Sequence, residues 1–261
     1  MIDTMRLEQI VREAGHMALG AWPGDGHVLE SWEKNPGDPV SAADVAVDNF
    51  LRRELGSLLP SAGWLSEETA DNDRRLAKGL CWVVDPIDGT RDFIRGRKGW
   101  AVSVALVSGG RPLMGTLVAP ARGEVWSAVA GKGAWRNGQR LSASKCTRFK
   151  GARVPADSLM KEDQILTMVE KPNSIALRIA MVGANEADLV ATLRWGWEWD
   201  VAAACLIARE AGAAVSDAFG GRLNYNKRDP REFGLLVCSP AIHGDAVAHL
   251  AARAKILAPK G

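Results

Sequence analysis

Cys81-Trp82-Val83-Val84-Asp85-Pro86-Ile87-Asp88-Gly89-Thr90 is the most informative segment of this chain. Its first four residues form an unbroken apolar run, which predicts a short buried strand. Two aspartates three residues apart then fall on a Pro/Gly turn, where both side chains and nearby carbonyls can face one point. Hard divalent cations such as Mg²⁺ take that oxygen-rich arrangement. Gly89 and Thr90 follow with backbone N–H groups, close approach and a hydroxyl, all suited to a phosphate. Asp, Pro and Gly are also the common residues of ordinary turns, so the segment alone leaves a plain turn open. Its partners elsewhere decide.

The chain has 261 residues, enough for a substantial core as one large domain or two tightly joined halves. Apolar residues make up 47% and charged residues 25%, values of a folded soluble protein. The net charge is only +2, with acids and bases spread along the chain. No basic arm or stripe stands out, which argues against a nucleic-acid polymer as partner. Cys81, Cys146, Cys205 and Cys238 are far apart and form no C-x-x-C pair, so they read as reduced residues of a cytoplasmic protein. His16, His27, His243 and His249 lack zinc-ligand spacing. The N-terminus does not read as a secretory signal, and no apolar stretch is long enough to span a bilayer.

Leu7, Ile10, Val11, Ala14, Ala18 and Leu19 recur at helical spacing and predict an amphipathic helix over 3–20. A Gly/Pro-rich loop from about Trp22 to Pro39 leads to a second helix opening at Ser41. Strands are expected at 81–84, 100–107, 113–118 and 124–130, and Asn137-Gly138 marks a tight hairpin. Residues 1–150 therefore form an α+β half with antiparallel strands. From 151 to 261, apolar runs at 165–169, 187–193, 213–216 and 234–238 alternate with helices at 174–183, 200–211 and 242–256. That alternation predicts an α/β half with a mixed or parallel sheet covered by helices. Without a linker between them, the halves are expected to share an interface.

Three other acidic positions complete the pattern. Glu67 stands in Ser66-Glu67-Glu68, after the apolar Trp64-Leu65. Asp44 closes Ser41-Ala42-Ala43-Asp44, the pattern of a capping box. Asp200 follows Trp199 and precedes an apolar helix it can cap. Each has a purely structural reading when taken alone. Together, S-A-A-D, S-E-E, D-P-I-D-G-T and W-D-V-A-A, in that order, resemble the inositol monophosphatase superfamily of Mg²⁺-dependent, lithium-sensitive phosphatases. The resemblance runs through most of the chain. It implies the layered αβαβα sandwich of that superfamily.

The resemblance also implies roles, position by position. Glu67, Asp85 and the Ile87 carbonyl match a first metal site. Asp85, Asp88 and Asp200 match a second, with Asp85 bridging. A third, weaker ion would be held by Glu67 and water, so two to three Mg²⁺ ions are implied, with Li⁺ as inhibitor. Thr90 and Asp44 match the pair that orients and deprotonates the attacking water, and Gly89 and Thr90 the phosphate-cradling N–H groups. Lys34 matches a mobile lysine near the metals. Superfamily members occur as monomers and dimers, so a homodimer is compatible with the resemblance.

Substrate cues come next. Arg91 and the following Phe93-Ile94-Arg95-Gly96 resemble the 3′(2′),5′-bisphosphate nucleotidases more than the inositol enzymes. Inositol-specific members have a glutamate seven residues before the Trp-Asp acid; here that residue is Leu193. Trp195 to Asp200 and Leu223 to Pro230 likewise resemble the bacterial nucleotidases. Ser174 precedes Arg178, a base where nucleotidases commonly have lysine, and Arg178 with Arg91 or Arg194 can contact a second phosphate. The expected reaction is hydrolysis of adenosine 3′,5′-bisphosphate to AMP and phosphate, with 3′-phosphoadenylyl sulfate as a further substrate. This would clear a by-product of sulfate assimilation. Inositol-1-phosphate and histidinol-phosphate hydrolysis are the alternatives, and a nucleotide-binding sensor on the same fold is the non-enzyme alternative. Asn173, where many members have Gly, departs from the pattern. The alternating Trp195, Trp197 and Trp199 would share one face of an extended segment, either to pack or to stack on a base.

Overall fold

The computed structural model describes residues 3–24, 29–35 and 38–258. α1 (Thr4–Ala21) starts at Asp3, whose Oδ1 accepts the N–H groups of Met5 and Arg6. Its buried residues include Leu7, Ile10, Val11, Ala14 and Ala18, the face that the spacing predicts. β1 (Trp32–Asn35) and β2 (Asp38–Val40) pair antiparallel in the segment expected to be a loop. Gly and Pro obscure so short a ribbon in the sequence, because its pairing depends on a partner rather than on local pattern. α2 (Ala42–Leu58) begins at the N-cap Ser41, as expected.

Seven strands then form one sheet: β3 (Gly63–Ser66), β4 (Cys81–Asp88), β5 (Ala101–Ser108), β6 (Arg111–Ala119), β7 (Glu124–Val129), β8 (Gly133–Arg136) and β9 (Gln139–Arg140). Their order is that of the chain. β3 and β4 are parallel and the remaining pairs antiparallel. The short α3 (Thr90–Ile94) follows β4 directly. Asn137 and Gly138 join β8 to β9 with φ of 50° and 77°, the left-handed pair that this tight turn demands.

The second half adds β10 (Arg153–Pro155), β11 (Thr167–Val169), α4 (Ile175–Gly183), β12 (Leu189–Trp197), α5 (Glu198–Glu210), β13 (Ala214–Ser216), β14 (Arg231–Cys238) and α6 (His243–Leu257). β12, β14 and β13 form a sheet in that order, and both pairings are antiparallel. Among the described residues, the parallel pair of this half is β10 with β11. The mixed or parallel sheet expected from the alternation does not form from β12, β14 and β13, whose pairings are all antiparallel. β12 and β13, joined through α5, run the same way, but β14 returns between them. The sequence pattern carries no sign of that insertion.

Five layers result. α1 and α2 pack on one face of the large sheet, where Trp82 and Val84 of β4 meet Leu7, Val11 and Leu51. Cys81 and Val83 point to the opposite face, against α4 and α5. β4 is thus covered on both sides, which explains its unbroken apolar run. Leu235 and Val237 of β14 close the same inner layer, whereas Leu236 and Cys238 face α6. The result is the αβαβα sandwich. No helix among the described residues is long and apolar enough to cross a membrane.

Candidate active site

The C-terminal end of β4 carries the first carboxylate. Asp85 pairs with Ser103 on β5, and a bulge between Asp85 and Asp88 then turns the strand. The Ile87 N–H donates to Asp85 Oδ1 at 2.9 Å and fixes the side chain. Because β3 runs parallel to β4, Glu67 leaves β3 beside this bulge, its N–H donating to the Val84 carbonyl at 3.3 Å. Asp200 enters from the first turn of α5, where it accepts the Trp197 N–H at 3.5 Å. Ser103 also donates to the Trp199 carbonyl at 3.3 Å, tying this turn to the sheet.

Glu67, Asp85 and Asp200 each offer a carboxylate oxygen, and these oxygens lie within 4.8 Å of one another. Burial, then repulsion from Glu67 and Asp88, holds the Asp85 carboxyl well above the ordinary carboxylate range. Asp200 is pushed up by burial and then by Asp88 and Glu67. A set of hard oxygen donors without sulfur or nitrogen, each crowded by its neighbours, fits Mg²⁺.

Asp88 differs from the expectation that it shares this cluster on equal terms. It lies close enough to raise its neighbours, but its oxygens face the start of α4. Oδ2 accepts the Ser174 hydroxyl at 2.5 Å and the Ala176 N–H at 2.7 Å, and Oδ1 the Ile175 N–H at 3.3 Å. Burial raises its carboxyl, and these bonds oppose the rise. Asp88 therefore caps α4 from another element, an arrangement that local sequence cannot show.

Asp44 and Thr90 meet beside the cluster. Asp44 Oδ2 accepts both the N–H (2.8 Å) and the hydroxyl (2.6 Å) of Ser41, closing the capping box. Oδ1 lies 3.4 Å from the Thr90 hydroxyl, which also donates to the Ile87 carbonyl at 3.0 Å. Burial pushes the Asp44 carboxyl up to about 6, against the Ser41 bonds. Gly89 makes the turn between with φ 96°, and a Cβ there would lie 2.7 Å from the Gly99 carbonyl oxygen. Only glycine fits.

A cavity of about 750 Å³ opens from Asp88, Gly89, Thr90 and Asp200 and continues past Arg91, Arg178 and Arg194. Arg91 and Arg194 are exposed at its wall, and Leu193 lines it as a neutral residue. Arg178 is half-buried, donating to the Ser174 carbonyl at 3.3 Å and the Asn173 carbonyl at 2.9 Å. The tryptophans divide differently from the expectation. Trp195 and Trp197 lie on β12, but Trp199 lies on α5, so no single extended face holds all three. Trp197 stacks on Trp199 at 4.6 Å and 8°. The Arg231 guanidinium lies over Trp195 and Trp197, both of which stay exposed. Lys34 falls on β1, and its side chain lies outside the described residues.

Asp48 went unnoticed in the sequence. One turn after Asp44 on α2, it accepts the Ser66 hydroxyl at 2.5 Å and the Thr69 hydroxyl at 2.6 Å, clamping both sides of Glu67-Glu68. Its i,i+4 relation to Asp44 and the hydroxyls flanking the two glutamates were the available signals. Glu198 was missed too. It is 1% exposed, and burial pushes its carboxyl up to about 7 although it accepts the N–H groups of Asn226 and Lys227.

The chain matches the model of the inositol monophosphatase family over residues 3–255. It is 31% identical over 232 residues to the 3′(2′),5′-bisphosphate nucleotidase CysQ of Shigella flexneri, covering 85% of this chain and 93% of that protein. It is likewise 31% identical over 227 residues to a fructose-1,6-bisphosphatase/inositol-1-monophosphatase of Thermotoga maritima, covering 83% and 85%. The solved structure of a Thermotoga maritima IMPase superposes with a TM-score of 0.83 at 26% identity, over 96% of this chain and 97% of that one.

Proposed function

This chain belongs to the inositol monophosphatase family, and from that premise we propose that it is a Mg²⁺-dependent 3′(2′),5′-bisphosphate nucleotidase. It hydrolyses the 3′-phosphate of adenosine 3′,5′-bisphosphate, giving AMP and phosphate, and accepts 3′-phosphoadenylyl sulfate as a second substrate. The observation that carries this choice is the cleft beyond the acid cluster, where Arg178 and Arg194 stand with Leu193 in place of a hydroxyl-binding acid. Two cations suit a second phosphate, and a leucine gives a polyol nothing to bond. The likeness to nucleotidases at 31% identity points the same way.

Glu67, Asp85 and Asp200, with the Ile87 carbonyl, would hold the cations, and Asp88 would join them by giving up bonds to the start of α4. Bound Mg²⁺ supplies charge neutralisation of the phosphate and acidification of water. Thr90 orients the attacking water through its hydroxyl, and Asp44 Oδ1 accepts the proton. With its carboxyl at about 6, Asp44 is ionised at neutral pH yet basic enough to take that proton. The N–H groups of Gly89 and Thr90 hold the scissile phosphate, while Arg91, Arg178 and Arg194 hold the second one. Ser174, expected on the substrate side, is instead fully buried with its hydroxyl on Asp88 and positions that carboxylate. Glu67 would also support a third, weaker cation. The working compartment in this reading is the cytoplasm.

Phosphate release from adenosine 3′,5′-bisphosphate and inositol-1-phosphate, measured side by side with Mg²⁺ and with or without Li⁺, tests the reading. A strong, lithium-sensitive preference for the bisphosphate is expected. Preference for inositol-1-phosphate would instead favour the second reading, which the similarity to the Thermotoga maritima enzyme supports.

A further inference from the structure

Arg75 takes no part in the chemistry above, yet it is only 2% exposed. It lies in the short 3-10 turn Asp73–Ala77, seated so tightly on β3 that a Cβ at Gly63 would lie 2.7 Å from its own Cβ. Its Nε and Nη2 grip the two oxygens of Asp71 at 2.7 and 2.8 Å. Nη1 donates to Asn226 Oδ1 at 2.6 Å, and Nη2 to the Lys227 carbonyl at 2.7 Å. Those partners stand 151 and 152 residues further along the chain. Asn226 and Lys227 in turn give their N–H groups to Glu198, the first residue of α5 and two before Asp200. Asn226 holds this position with φ 59°, a left-handed conformation that asparagine tolerates.

The three converging carboxylates form a triangle, and each side has its own brace. The β3–β4 pairing joins Glu67 to Asp85. Ser103, opposite Asp85, joins that strand to the turn bearing Asp200. The third side, from Glu67 to Asp200, is closed through Asp71, Arg75, Asn226, Lys227 and Glu198. Buried ion pairs add little net stability and are better suited to selecting one arrangement, and a satisfied polar network is rigid.

We propose that Arg75 is a positioning residue for the metal site, setting the separation of Glu67 from Asp200 that a divalent cation requires. The inference rests on the metal-dependent reading above but not on the identity of the substrate. Isothermal titration of Mg²⁺ into chelator-stripped full-length protein tests it, with Arg75→Gln and Asp71→Asn as variants. Arg153→Gln is the control, because it breaks the pair with Asp188 away from the cluster. Arg75→Gln is expected to weaken Mg²⁺ binding about tenfold, as loss of a residue supporting metal ligands does. Asp71→Asn should shift it the same way, and Arg153→Gln should lower Tm with wild-type Mg²⁺ affinity. Wild-type affinity in both Arg75→Gln and Asp71→Asn, even with a lower Tm, would overturn the proposal and leave Arg75 a staple. If Arg75→Gln does not fold, Asp71→Asn decides by the same criterion, since it leaves the bonds to Asn226 and Lys227 in place. A wild-type protein that binds no Mg²⁺ would overturn the metal reading and this inference together, whereas equal affinities overturn the inference alone.

Discussion

Asp44 divides its two oxygens between architecture and chemistry. Oδ2 closes the capping box of α2, while Oδ1 faces the Thr90 hydroxyl. Asp44→Asn keeps an oxygen that can accept from Ser41 but cannot take a proton. Phosphate release is therefore expected to fall by at least ~100-fold, with the fold and Mg²⁺ affinity retained. Steady-state assays and a Mg²⁺ titration check this, and activity within a few-fold of wild type would remove Asp44 from the proton transfer. The capping half of this arrangement was legible, because Ser41 and Asp44 are three residues apart. Asp48 was not, because its hydroxyl partners are 18 and 21 residues away. Its i,i+4 spacing from Asp44 places it on the same helix face, but nothing local says which hydroxyls it meets.

α5 delivers Asp200, so its seat on the large sheet governs the site. Gly115 of β6 lies directly beneath it, and a Cβ there would sit 2.9 Å from the Ala203 carbonyl oxygen and 3.0 Å from its Cα. Backbone cannot swing aside as a flexible side chain can. Gly115→Ala is expected to cost about 1–3 kcal/mol through overpacking. That corresponds to a Tm lower by roughly 2–4 °C per kcal/mol in a chain of this size. Thermal unfolding followed by circular dichroism would detect it, and an unchanged Tm would mean α5 adjusts freely on β6. The start of α5 also shows a limit of pattern reading. Trp195, Trp197 and Trp199 alternate as strand residues do, but helix begins at Glu198 and takes Trp199 onto another element. The Asp200 capping contact and the apolar run from Val201 mark that boundary better than the tryptophans.

Across the molecule, Asp44, Glu67, the Asp85–Asp88 turn and Asp200 bring acids from four separate segments together. Asp44, Asp85, Asp88 and Asp200 all have carboxyls raised by burial. A raised folded-state value means that the folded protein holds these protons more tightly than the unfolded chain. Their stabilising contribution is present below the unfolded value near 4 and lost as pH rises through the folded values, about 6 for Asp44. Chelator-stripped protein is thus expected to melt at a higher temperature at pH 5 than at pH 7.5. Mg²⁺ should restore the loss at pH 7.5 and do little at pH 5, where protons compete for the same oxygens. Calorimetry with and without Mg²⁺ checks this, and a metal-free Tm that rises between those pH values would contradict the burial argument.

Local pattern in the chain was enough to establish the buried β4, the amphipathic α1, the capped start of α2 and the β8–β9 hairpin. Each rests on periodicity or on contacts a few residues apart, and such information survives in one dimension. Tertiary structure alone decided that β14 runs between β12 and β13, that Asp88 turns its oxygens to α4, and that Arg75 bridges the halves. Those outcomes depend on which distant groups are buried together. A buried charge or unpaired strand edge must be satisfied by whatever packing brings near, and spacing along the chain does not record it.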